Sequence, residues 1–113
     1  MKFRTAQQGT ATVIQLQGSL MGGPDASSLN TKLHELVESG KNNVVIDLAD
    51  VKFINSSGLG LLIGGVTTLK NAGGSLKLAN ASQKIVALIK ITKLSSVFEI
   101  YDSVQKAAES FSK

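Results

Sequence analysis

The run Val44-Val45-Ile46-Asp47-Leu48 constrains this chain more than any other segment. It is short and almost continuously apolar, without polar alternation. That pattern belongs to a strand buried on both faces inside a parallel sheet. Parallel neighbours have to be joined by crossovers, which are usually helices. The flanking segments supply them. Leu29, Leu33, Leu36 and Val37 recur at helical spacing before the run, and Leu59, Leu62, Ile63, Val66 and Leu69 form a second stripe after it.

The remaining segments extend this alternation. Ile14 and Leu16 alternate with Gln15 and Gln17 in Thr12–Gln17, a half-buried strand. Lys2–Gln8 is a weaker strand, and Gly9-Thr10 turns between the two, giving an N-terminal hairpin. Gly22-Gly23-Pro24-Asp25 breaks the chain and starts the first helix, with Pro24 at its first position and Asp25 where the helix dipole favours an anion. Gly40 stops that helix. Val51 and Phe53-Ile54 carry apolar side chains into the turn Asn55-Ser56-Ser57-Gly58, and Asn71–Gly74 ends the second helix. Ser75–Ala79 alternates as a strand. Ser82 caps a third helix with Ile85, Val86, Leu88 and Ile89 inward. Val97–Ile100 reads as a last strand, and Asp102 with Gln105 as a capping box for a final helix through Ala107 and Ala108. The order β-β-α-β-α-β-α-β-α predicts one α/β domain over residues 1–113, with a mixed, mainly parallel sheet, an N-terminal hairpin and about four helices.

Several function classes lose support at this level. There is no cysteine, so disulfides and thiolate metal sites are excluded, and a reducing cytoplasm is the expected setting. The first eight residues contain no apolar signal-peptide core, and the oily stretch Leu59–Val66 is too short to span a bilayer. The net charge of +4 comes from lysines scattered along the chain without interleaved aromatic residues, which reads as solvation rather than a nucleic-acid surface. The single histidine, His34, lies on the first helix with no second ligand at metal spacing, so it reads as a surface or flank residue. It is also the only histidine available as a hydrolase base. P-loop, H-E-x-x-H and dinucleotide motifs are absent, and Gly58–Gly64 has the wrong spacing for G-x-G-x-x-G. No catalytic residue, metal or cofactor is assigned. Gly64-Gly65 inside a helix should cost about 1 kcal/mol each relative to alanine, which points to close packing against a neighbour, preferably within the fold.

Asn55-Ser56-Ser57-Gly58 has two readings. Taken alone, it is a strand-to-helix turn in which Asn55 or Ser56 caps the helix. A serine there also stands where free N–H groups and the helix dipole stabilise a phosphate.

The segment Val44–Gly60 resembles the central signature of STAS domains, especially the anti-sigma factor antagonists. In that family a strand ending Asp-Leu is followed by a short loop and Asp-Ser-Ser-Gly-Leu-Gly; here the residues are Asp47-Leu48 and Asn55-Ser56-Ser57-Gly58-Leu59-Gly60. The tail Leu88–Tyr101, with Thr92-Lys93-Leu94 and Val97-Phe98-Glu99-Ile100-Tyr101, is similar to the family's last third. The resemblance implies a non-enzymatic partner switch. The second serine of the motif, Ser57, would be phosphorylated by an anti-sigma factor with serine-kinase activity, with Ser56 as the alternative. The unphosphorylated form would hold that factor and release sigma, and a metal-dependent serine phosphatase would reverse the mark. Met21, Asn55, Ser56, Ser57, Gly58 and Leu59 are then the expected partner-binding residues.

Two positions depart from the pattern. Asn55 stands where the family commonly has aspartate, which removes a charge that would repel a phosphate. Met21 stands where members typically have aspartate after Gly-x-Leu, either as an exposed apolar anchor or as a core residue. The second function class is an unphosphorylated STAS subunit of a lipid-transport ATPase or other signalling complex. Direct nucleic-acid binding and membrane insertion are not expected. A small-ligand domain has no supporting motif.

Overall fold

The computed structural model describes residues 2–21 and 23–112. The elements run β1 (Lys2–Gln8), β2 (Ala11–Leu20), α1 (Pro24–Glu38), β3 (Asn43–Ile54), α2 (Ser56–Asn71), β4 (Ser75–Ala79), α3 (Gln83–Ile91), β5 (Ile100–Tyr101) and α4 (Val104–Glu109), then a 3-10 turn at Ser110–Ser112. The sheet order is β1-β2-β3-β4-β5, antiparallel between β1 and β2 and parallel elsewhere. This is the α/β architecture expected from the alternating pattern. Gly22, expected in the turn before α1, lies outside the described residues, while Pro24 opens that helix as anticipated.

One sheet face carries the main core. Ile14, Leu16, Val44, Ile46, Leu76 and Leu78 pack there against apolar residues of α1, α2 and α3. Three consecutive crossovers on one side follow from right-handed connections between neighbouring parallel strands. The other face holds a smaller cluster in which Val13, Val45 and Ala79 meet Ala107 and Ala108 of α4. Val44 and Val45 are both fully buried, one on each face, which explains the missing alternation.

β3 is longer than its apolar run. Against β2 its register slips twice: Gln15 pairs with Asp47 and Gln17 with Asp50, then Gly18 pairs with Val51 and Ser19 with Phe53. Each slip inserts one extra residue into β3, as in a β-bulge. The core-facing residues are therefore Val44, Ile46, Leu48, Val51 and Ile54, with the spacing widening from two to three. Asp47 supports the first irregularity. It is buried, and its Oδ1 accepts from the Ala49 N–H and from Asn80 Nδ2, both at 3.0 Å.

Two sequence expectations shift. The last strand is Ile100–Tyr101 rather than Val97–Ile100, because Val97 N–H donates to Leu94 O in a turn; the pairing begins only at Glu99 O, which accepts from Leu78 N–H. The α4 cap is Ser103, not Asp102: Ser103 Oγ accepts from the Lys106 N–H at 3.1 Å. The Asp102 carboxylate instead lies 3.8 Å from Lys106 Nζ in an exposed ion pair. Of the two helix glycines, Gly65 has the internal packing role, since a Cβ there would lie 3.0 Å from Leu33 Cδ1 and from Leu76 Cδ1. Gly64 faces open space.

Candidate partner-binding site

The C-terminal ends of the parallel strands β2, β3 and β4 share one edge of the sheet, and α2 begins there. Asn55 is its cap. The backbone is extended at that residue, and the side-chain Oδ1 accepts from the Gly58 N–H at 2.8 Å. Asn55 O accepts the first intrahelical bond from Leu59 N–H, also at 2.8 Å. Between the two alternatives left by the sequence, Asn55 rather than Ser56 therefore caps the helix. An asparagine does this as well as the family's aspartate, because the cap needs an oxygen acceptor and not a charge.

The turn is held against the end of β2. Asn55 N–H donates to Leu20 O at 3.3 Å. Gly58 approaches the same peptide so closely that a Cβ would overlap the Leu20 carbonyl oxygen and lie 2.7 Å from its carbon. Only glycine fits this contact. It also brings Met21, the next residue of the chain, to the mouth of α2. Met21 is 48% exposed, which settles its alternatives in favour of a surface side chain.

The side chains of the turn divide accordingly. Leu59 and Gly58 are buried, Asn55 is half-buried, and Ser56 and Ser57 are exposed. The two serines are the first two residues of α2, so their N–H groups precede the helical ladder, and the first turn contains no acidic residue. A dianion on Ser57 Oγ would meet open N–H donors and the positive end of the helix dipole. Of the expected partner-binding residues, the structure thus places Met21, Asn55, Ser56 and Ser57 on one accessible edge. Gly58 and Leu59 are inside, where they hold the turn.

Phe53 is the residue that sequence reading left out of the candidate site. Its side chain was grouped with Val51 and Ile54 as apolar residues leading into the turn, with no division between core and surface. The second slip in β3 reverses the pleat, leaving Ile54 6% exposed and Phe53 51% exposed two residues before the cap. His34 is exposed on α1, as expected of a surface residue. Among the described residues no cluster of three or more His, Cys, Asp or Glu side chains could hold a metal ion. No described helix is long and apolar enough to cross a membrane.

A mixed sheet layered with three helices on one face, ending in a pinned turn that presents a hydroxyl and flanking apolar side chains, defines a small α/β domain with a surface suited to binding another protein. The STAS domain family model matches residues 2–107, and the chain belongs to that family. The anti-sigma-B factor antagonist of Bacillus subtilis strain 168 is 38% identical over 88 residues, covering 75% of this chain and 80% of the relative. A crystal structure of an anti-sigma factor antagonist from Mycobacterium paratuberculosis has a TM-score of 0.83 at 20% identity, over 99% of this chain and 94% of that one. The Bacillus cell fate determinant SpoIIAA in its phosphorylated form has a TM-score of 0.75 at 20% identity, over 97% and 99% of the two chains. At such identities the two structures establish the common fold.

Proposed function

We propose that this chain is a single-domain, non-enzymatic, cytoplasmic anti-sigma factor antagonist whose binding is switched by phosphorylation of Ser57. The carrying observation is the geometry of one turn. Ser57 is exposed at the start of α2, Asn55 satisfies the Gly58 N–H, and the backbone is fixed against Leu20. The Bacillus subtilis relative, an anti-sigma-B factor antagonist, supports the partner class. The phosphorylated form of SpoIIAA supports modification within this fold.

In this mechanism the unmodified edge, with Met21 and Phe53 flanking the serines, packs against an anti-sigma factor that has serine-kinase activity. That contact releases sigma. The kinase then transfers a phosphoryl group to Ser57 Oγ, and a metal-dependent serine phosphatase removes it. Phosphoserine carries about −1.5 to −2 charge at pH 7. The helix N-terminus tolerates that charge, so the domain stays folded. An apolar protein contact does not tolerate it, because the dianion would have to lose its water, and binding should weaken by several kcal/mol. ATP and metal belong to the partner enzymes.

The test is capture from native lysate with wild type, Ser57→Ala and Ser57→Asp, reading partners and phosphosites by mass spectrometry. A serine-kinase partner kept by Ser57→Ala and weakened by Ser57→Asp is the expected result. An identical set of partners for all three, with no phosphate on Ser56 or Ser57, would reject the switch and favour a constitutive STAS subunit of a larger complex. Phosphate on Ser56 alone would move the switch by one residue.

A further inference from the structure

The acidic residues of this chain are confined to residues 25–50 and 99–109; residues 51–98 hold six lysines and no Asp or Glu. Folding gathers part of that basic stretch around an apolar depression. The end of β3 and the outer side of α3 enclose a groove of about 200 Å³ lined by Lys52, Phe53, Ile54, Lys84, Ile85 and Leu88. Ile54 and Ile85 are buried and form its base, Phe53 and Leu88 are only partly covered, and both lysines are exposed. Neither lysine has an ion-pair partner among the described residues, Asp50 included. Along α3 the same surface continues through exposed Ala87 to Ile91, which is 78% exposed one helical turn beyond Leu88.

We propose that this groove docks an acidic, amphipathic segment of a protein partner, with an apolar side chain in the groove and carboxylates on Lys52 and Lys84. The inference deepens the partner-binding reading, on which it rests. The groove immediately precedes the Asn55–Ser57 turn in the chain, so one partner can reach both. Its volume is below the range of about 300–1,000 Å³ typical of small-molecule sites, so it accepts a side chain rather than a whole ligand. The apolar residues line a concavity instead of projecting as a wedge, which suits a protein knob better than an acyl-chain boundary. Unpaired cations beside an apolar cleft favour carboxylates at the rim, where they select the partner and speed encounter.

The direct experiment is amide chemical-shift mapping on the full ¹⁵N-labelled chain. The probes are a synthetic helical peptide of Leu and Glu at amphipathic spacing, its counterpart with Gln in place of Glu, and phosphatidylglycerol vesicles. Expected are shifts centred on Lys52–Ile54 and Lys84–Leu88 with the acidic peptide, and binding weakened about tenfold or more for the Gln peptide and for Lys52→Glu/Lys84→Glu. Phe53→Ala should weaken it too, at unchanged spectral dispersion. Equal binding of both peptides, shifts elsewhere, or no shifts would overturn the proposal. Vesicle binding without peptide binding would reassign the surface to lipid. Peptide binding should persist in Ser57→Asp, so loss of the switch in the lysate experiment with this binding intact retires the switch alone.

Discussion

Gly58 shows how a single missing side chain can set a site. Its Cα lies against the Leu20 peptide, and that contact aligns the end of β2 with the mouth of α2. The Gly58→Ala variant has to push the two apart. It should lose about 1–3 kcal/mol of stability, the usual cost of overpacking. Gly64→Ala makes the opposite prediction from the same helix. A Cβ there meets nothing within 4 Å, so alanine should add about 0.5–1 kcal/mol by restricting the unfolded chain. Urea denaturation of the two variants separates the effects, and stabilisation by both would refute the close approach at Gly58. The motif made Asn55, Ser57 and Gly58 legible in the sequence as a turn. It did not reveal which group caps the helix, because Asn and Ser are equivalent acceptors until the backbone is placed. Nor did it reveal that Gly58 answers to a residue 38 positions earlier in the chain.

At the scale of elements, β3 carries the lesson. Its apolar core Val44–Leu48 was readable because burial on two faces leaves a continuous run. Its continuation to Ile54 was not, since period-two reading assumes a constant pleat and β3 breaks that pleat twice. A strict alternation from Val51 puts Phe53 inside; the bulge puts Ile54 there instead. Ile54→Ala should therefore cost about 2–5 kcal/mol, as a large-to-small change in the core does. Phe53→Ala should cost under about 1 kcal/mol while still weakening partner binding. Greater destabilisation by Phe53→Ala than by Ile54→Ala, measured by thermal unfolding, would mean the pleat is regular. The same limit explains the last strand. Val97 and Phe98 have strand-like side chains, but the Leu94–Val97 turn uses the backbone that a longer β5 would need.

At the scale of the whole molecule, the two sheet faces differ in size and in how they are held. The three helices of the larger face were legible one by one as apolar stripes, without the face they share. The placement of α4 on the opposite face was not, because a stripe of two alanines carries little directional information. Lys77 marks that second face. Its residue is only 7% exposed, yet its Nζ donates to Ser110 Oγ at 2.6 Å, lies 3.7 Å from Glu99 Oε1 and sits 4.3 Å from the Phe111 ring centroid. The ammonium thus joins β4 to the segment that closes over it. Most of its worth should lie in the packed stem, because Ser110 Oγ also donates to Ala107 O at 2.6 Å and is not orphaned when the lysine goes. Lys77→Met should then cost under about 1 kcal/mol, whereas Lys77→Ala, which empties the space under Phe111, should cost about 2–3 kcal/mol. Hydrogen exchange should locate the damage. In Lys77→Ala the α4 amides lose protection first while those of α1 and α2 keep theirs, since α4 rests on the smaller cluster alone. Uniform loss of protection across both faces would show that the domain opens as one unit and that Lys77 supports the main core as well.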